Sequence, residues 1–310
     1  MKKIVAAIVL IIIILVTAIY ILIPATLIVT SVSTINVTEN AYRKFIIDNA
    51  ANWQKWWPSS TKNSGNLKYN QYQFKVINKN INVLEVAAIN DQDTIYTKLI
   101  LASLKTDTIN VIWTTHFTTG NNPLRKVQTY QKAKEIKIYF TELLNSMKKF
   151  LENDEAIYSF KIEKTKVSDP LLLSSKFKTH NYPTTTEIYK VIKELKDQIV
   201  LKDIKETGNP MLHVRMLDSS NYETMVAIPI NKEILFDNKF AIKKMILGNL
   251  LVTDVKGGVA NIQKAYDALD TYILDHRLIS PAMPYESLIT NRILESDTSK
   301  WESKVYYPIF

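Results

Sequence analysis

Residues 4–23 contain no charged side chain, and only Thr17 and Tyr20 in that run carry a polar atom. At about 1.5 Å per residue, a helix of this length spans a hydrocarbon core of roughly 30 Å. The run is therefore expected to form a membrane anchor over residues 1–24. A cleaved signal peptide is the rival, but its apolar stretch is usually only about 7–15 residues and ends at a small-x-small cleavage site, which is missing here. Lys2 and Lys3 precede the run, and the next basic residue is Arg43. The positive-inside rule then puts the N-terminus in the cytoplasm and the rest of a single-pass inner-membrane protein on the periplasmic or extracytoplasmic side, with the lipid bilayer as one partner.

The remaining chain is long enough for about two domains, and 46% hydrophobic content supports ordinary cores. Zero cysteines exclude disulfides, thiolate metal sites and a cysteine nucleophile. His116, His180, His213 and His276 are dispersed, and none has a second histidine or a carboxylate at helical spacing, so no metal is expected. There are only 6 glycines and no glycine-rich phosphate loop, so no nucleotide cofactor is expected. A net charge of +9 is mild, and the cluster Arg125, Lys126, Lys132, Lys134, Lys137, Lys148 and Lys149 reads as a solvated helix face beside a membrane. With no nucleic-acid motif beside it, no nucleic-acid partner is expected, and no protein partner is specified.

Residues 27–37 read as a β-branched strand, and Thr38 can cap a short helix carrying Tyr42, Phe45 and Ile46. After a Trp-rich segment, 52–58, and a polar loop through Gly65, period-2 runs begin at Tyr72, Leu84, Ile95 and Ile109, predicting consecutive antiparallel strands. Residues 135–151 switch to helical spacing, with Ile136, Tyr139, Phe140, Leu143, Met147 and Phe150 on one stripe that needs an apolar partner, most simply that sheet. A first domain over 25–153 closes there.

A second domain, 154–310, opens with a pattern at 158–167. Thr184 with Glu187 forms a capping-box signature ahead of an amphipathic helix, and strands follow at 211–216 and 224–230. The order then recurs as strand 250–255, helix 259–275, strand 284–289 and strand 303–309. Each half ends alike, in Ala227-Ile228-Pro229-Ile230 and Tyr306-Tyr307-Pro308-Ile309, which points to a duplicated β-α-β-β module. The overall class is α+β, and a cleft between two modules is a natural ligand site.

Three stretches of the second domain carry a resemblance: Lys256-Gly257-Gly258 with Ala265-Tyr266-Asp267-Ala268-Leu269, then Pro284-Tyr285-Glu286, then Val305-Tyr306-Tyr307-Pro308-Ile309. Residues 158–310 resemble the GyrI-like, or bacterial transcription-activator effector-binding, family. That resemblance implies a central cleft for hydrophobic, often cationic, compounds, reached by the glutamate of the penultimate strand, here Glu286. Leu288 stands where many relatives have Tyr, and Lys304 where they commonly have an acid. Residues 25–153, through Asn52-Trp53-Gln54-Lys55-Trp56-Trp57-Pro58 and the long final helix, are similar to the START-like, polyketide-cyclase-type (SRPBCC) helix-grip family, which implies a curved sheet enclosing a hydrophobic cavity.

Candidate ligand-binding residues follow. Glu286 and Leu288 share one face of their strand, the cleft face by resemblance. His213 and Arg215 share a face that is either cleft lining or exposed edge. Tyr306 lies in the last strand, Trp113 faces the first domain's cavity or its core, and Trp57 belongs to a packing cluster from which one ring reaches the cavity mouth. The expected function is a membrane-anchored protein that binds a hydrophobic or cationic small molecule, as a sensor or scavenger. Two alternatives stay open. One is a hydrolase using Glu286 with a tyrosine on a hydrophobic electrophile, and the other is an envelope interaction protein without a ligand.

Overall fold

The uncharged run folds as α1 (Lys2–Leu22), whose side chains lie almost entirely exposed. By length and by a mean hydropathy of 3.3 it is a candidate membrane span, a description that a signal sequence also meets. The computed structural model describes residues 2–58, 67–168, 170–233 and 239–310. It divides into two units, residues 1–153 and 154–310. The expected polar loop through Gly65 lies outside the described residues.

In unit 1, β1 (Thr26–Ile35) leads to α2 (Glu39–Tyr42), where the Thr38 hydroxyl accepts from the Ala41 N–H. A π-helical turn and a 3-10 turn over Ala50–Lys55 follow, the latter carrying Trp53. Then come β2 (Leu67–Tyr69), β3 (Tyr72–Lys79), β4 (Val83–Ile89), β5 (Thr94–Lys105), β6 (Thr108–Thr118) and α3 (Pro123–Leu151). The sheet is antiparallel in the order β1-β6-β5-β4-β3-β2. Alternation of β-branched and polar residues buries one face of each long strand, and α3 lays Ile136, Phe140, Leu143 and Met147 on that face.

Helix α3 starts at Pro123 rather than at 135, because Asn122 accepts from the N–H groups of Leu124 and Arg125 and Pro123 occupies the first helical position. Three cations expected on its solvated face are engaged instead, among them Lys148, which donates to the Thr34 carbonyl at 2.6 Å. Lys126 is buried and donates to the Ile23 carbonyl (2.8 Å) and the Thr119 hydroxyl (3.2 Å), and Lys132 pairs with Asp93. Lys126 thereby caps the last turn of α1.

Unit 2 begins with α4 (Asp154–Tyr158) and β7 (Glu163–Lys166). The first repeat is β8 (Leu171–Thr179), α5 (Thr185–Leu201), β9 (Met211–Met216) and β10 (Tyr222–Pro229). After β11 (Ala241–Lys244), the second repeat is β12 (Asn249–Lys256), α6 (Val259–Asp275), β13 (Tyr285–Leu288) and β14 (Glu302–Ile309). Residues 158–167, expected to open the first repeat, supply only the short β7, and the strand that does open it is β8. Gly257, with φ +118°, makes the turn into α6 that a side chain would strain.

The eight strands of the described residues of this unit form one curled antiparallel sheet ordered β11-β8-β10-β9-β13-β14-β12-β7. The order reads alike from both ends, as a pseudo-two-fold axis requires. The leading strands are exchanged: β7 precedes the first repeat yet pairs with β12, and β11 precedes the second yet pairs with β8. This exchange ties each repeat to the edge of the other.

The capping box is complete in α5, with Thr184 and Glu187 each satisfying the other's backbone N–H. Thr184→Ala is expected to cost about 1 kcal/mol. Faster amide exchange in the first turn of α5 would report it, and unchanged protection there would count against the cap.

Candidate functional site

The two repeats can be superposed through their terminal prolines, because Pro229 sits opposite Leu172 and Pro308 opposite Leu250. By the same register Val226 faces Leu212 and Val305 faces Glu286, so Glu286 is the repeat counterpart of Leu212. Glu286 and Leu212 also pair directly with each other. The pseudo-two-fold therefore passes between them, and a carboxylate occupies at the centre of the sheet what the other repeat fills with leucine.

Directly opposed residues of an antiparallel pair share a face. Leu212, Val226, Ile228 and Leu173 pack under α5, so Glu286, Leu288 and Val305 point to that helix-covered face too. Glu286 is only 3% exposed. Its carboxylate is met by the guanidinium of Arg292, itself buried, which also donates to the Ser303 hydroxyl at 2.8 Å. The guanidinium carbon lies 4.6 Å from the centre of the Trp301 ring. The Arg292 N–H donates to the Tyr189 hydroxyl (2.8 Å), which donates in turn to the Thr290 carbonyl (3.0 Å), pinning the loop of residues 289–301 to α5. Burial and the negative charge of Glu286 push the Tyr182 hydroxyl up to about 12 and raise that of Tyr266 as well.

The consequence is electrostatic. A buried carboxylate ringed by aromatic side chains would hold a cation, and the cation in place is the chain's own Arg292. Arg292 was invisible to sequence reasoning because it lies in a loop that the first repeat lacks, where β9 and β10 are joined by the short turn 217–221. That inequality of loop lengths is the available signal.

The opposite face holds a different environment. Met211 and His213 on β9, Met225 and Ala227 on β10, Tyr285 on β13 and Tyr306 on β14 alternate with the helix-facing residues. A cavity of about 250 Å³ opens there, lined by Met211, His213, Met225, Met245, Met283 and Tyr285 among others. It adjoins a second one of about 240 Å³ that shares Met211, Met245, Leu250 and Tyr285 and reaches Tyr306 and Ser287. Tyr285, which lines both, stacks on Tyr306 of the second at 4.9 Å and 11°. His213 Nδ1 lies 2.7 Å from the Pro284 carbonyl, and burial lowers its pKa from the ordinary histidine value against the opposing effect of that hydrogen bond, with the positive charge of Arg215 adding to the lowering. The ring is thus neutral near pH 7.

The structure brings His213 and Tyr306 to this face, and Glu286 and Leu288 to the other. Leu288 is packed among the α5 contacts, while Arg215 is exposed and paired with Glu223 at 2.8 Å. In unit 1, Trp113 is fully buried, stacked on Phe140 at 5.0 Å, with its Nε1–H donating to the Thr97 hydroxyl. Trp57 is 7% exposed and donates to the Lys68 carbonyl. With Trp53, Trp56 and Phe74 these rings pack the space between sheet and helix. A groove of about 540 Å³ in this unit lies on the outer face of the sheet, beside the exposed Ile28 and Tyr96. The methionines of unit 2 had a partial signal, since Met211 and His213 stand two apart on one strand.

No family model matches the chain, and no curated protein matches it. Similar solved structures include the EcmrR–DNA complex (13% identity, 60% of this chain and 70% of that one, TM-score 0.44). They also include SAV2435 bound to tetraphenylphosphonium (15% identity, 48% of this chain and 94% of that one, TM-score 0.34). The di-domain ARO/CYC protein BexL matches 92% of this chain and 85% of its own at 9% identity and TM-score 0.33. A neighbour solved in complex with DNA stands against the expectation of no nucleic-acid partner, and that expectation is withdrawn. Its basis, the lack of a recognised motif in the basic cluster, says nothing of what a structural relative binds.

Proposed function

We propose that unit 2 is a receptor for hydrophobic small molecules, held at a membrane by α1, and that its site is the methionine-lined face of the sheet rather than the Glu286 side. The observation that carries this reading is the apolar cavity of about 250 Å³ with four methionines in its lining. Methionine side chains are unbranched and polarisable, so they fit ligands of varied shape. A few fixed polar groups, His213 and the Tyr285–Tyr306 pair, would orient what enters. Because Arg292 already neutralises Glu286, the receptor is expected to favour neutral over cationic lipophiles. A role as sensor or scavenger would fit an extracytoplasmic receptor.

The test is native mass spectrometry and thermal unfolding of the full chain in detergent against paired neutral and cationic lipophiles. At a hundred times its dissociation constant, a neutral ligand is expected to stabilise unit 2 by about 2.7 kcal/mol. Ala227→Leu, which pushes two further branches into the cavity, is expected to remove that stabilisation while the protein stays folded. A silent panel, or equal response in the Ala227→Leu variant, would leave the cavity without this role.

A further inference from the structure

The same wall of the cavity has a chemistry beyond apolar volume, and we infer that it is a site for a soft monovalent metal ion, Cu(I) or its redox-silent analogue Ag(I), held by the His213 imidazole and the thioethers of Met211, Met225 and Met283.

The sheet register brings these groups together. Met225 is the direct cross-strand partner of His213, a position whose Cβ lies about 4.5–5.5 Å away. Met211 stands two residues before His213 and therefore on the same face. Met283 adjoins Pro284, whose carbonyl is 2.7 Å from His213 Nδ1. All four residues line the one cavity.

That hydrogen bond decides the tautomer. A carbonyl oxygen only accepts, so in the neutral ring Nδ1 carries the proton and the lone pair is left on Nε2. An outer-shell carbonyl orienting an imidazole in this way is the arrangement that metal-bound histidines use. Thioether and imidazole are soft and borderline donors, suited to Cu(I) and poorly suited to Mg²⁺ or Ca²⁺. Among the described residues no group of three His, Asp or Glu side chains could hold a metal ion, so the donors here are thioethers with one imidazole. Two of the three lysines in the cavity lining, Lys176 and Lys244, are paired, with Glu223 at 3.3 Å and Glu233 at 2.6 Å, which lessens their opposition to a single positive charge.

The experiment is a titration of the full chain in detergent, labelled with ¹³C at the methionine methyls, with silver nitrate in chloride-free buffer. One equivalent of Ag(I) is expected to shift the signals of Met211, Met225 and Met283 and to leave Met147, buried in unit 1, unmoved. The variant Met225→Leu with Met283→Leu keeps apolar volume but removes two sulfurs. It is expected to weaken silver binding by at least about tenfold, the scale on which metal sites respond even to loss of an outer-shell partner. On the unaltered chain, silver binding is read by the methyl shifts and lipophile binding by thermal stabilisation, and the two separate readouts distinguish this proposal from the receptor reading. Methyl shifts absent at one equivalent, shifts spread evenly over all methionines, or undiminished affinity in the leucine variant would each overturn the metal site. A silent lipophile panel with intact silver binding would overturn only the receptor.

Discussion

Arg292→Met is expected to destabilise unit 2 by about 3–5 kcal/mol, because it strands a carboxylate that is 3% exposed at the centre of the sheet. Removing one partner of a buried pair leaves the other desolvated without compensation, which costs far more than the pair itself contributes. The double variant Glu286→Leu with Arg292→Met is expected to recover most of the loss. It places leucine where the other repeat already has Leu212, on the same face and in direct register. The measurement is amide exchange of unit 2 strands, or its unfolding transition followed separately from unit 1, since a two-unit chain need not unfold in one step. If Arg292→Met costs less than about 1 kcal/mol, the scale of an exposed pair, the carboxylate is reaching solvent and the self-neutralised reading fails. The Glu286→Gln change, which a cation-receptor reading would use to abolish binding, is expected here mainly to leave Arg292 unpaired. Its effect should therefore appear in stability before any ligand is added.

Trp113→Ala is expected to destabilise unit 1 by about 3–5 kcal/mol, the range for emptying an aromatic site in a packed core. Trp113 is fully buried, stacked on Phe140 at 8°, and edge-on to Trp53 and Phe74. Its Nε1–H donates to Thr97 at 2.9 Å, and Thr97 donates to the Val86 carbonyl at 2.9 Å, so truncation also loosens a buried chain of hydrogen bonds. Trp113→Phe keeps most of the ring area and is expected to cost less, with loss of the Thr97 bond contributing about 1 kcal/mol. Near-ultraviolet circular dichroism and exchange of β5 and β6 amides would measure both. A Trp113→Ala cost under about 1 kcal/mol would mean that the interior relaxes around a hollow, as in a helix-grip cavity, and not around packed rings.

Elements whose signal is local were legible. The uncharged run, the capping box at Thr184, the alternation from Tyr72 to Phe117 and the stripe of α3 each depend on residues near in sequence, and each formed. The duplicated module was legible too, through its paired terminal prolines. What escaped was either weakly patterned or non-local. Strand β8, Leu171–Thr179, buries four consecutive residues, Leu172, Leu173, Ser174 and Ser175, so it shows no clean alternation. The first turns of α3 are polar and are specified by the Asn122 cap rather than by an apolar stripe.

The candidate site divided along the same line. Periodicity placed Glu286 and Leu288 on one face of a strand and His213 on one face of another, because side chains alternate regardless of context. It could not say that the two faces differ, nor that Glu286 has a leucine for its counterpart and an arginine for its partner.

The chain's own order of residues determined an apolar N-terminal helix, two α+β units and a repeated module, since backbone periodicity and capping are read within a few residues. Only the tertiary structure decided that Arg292 neutralises Glu286 and that Met211, His213, Met225 and Met283 share one wall. Burial and strand register set charge compensation and donor sets between residues far apart in sequence, and no local pattern encodes which of them will meet.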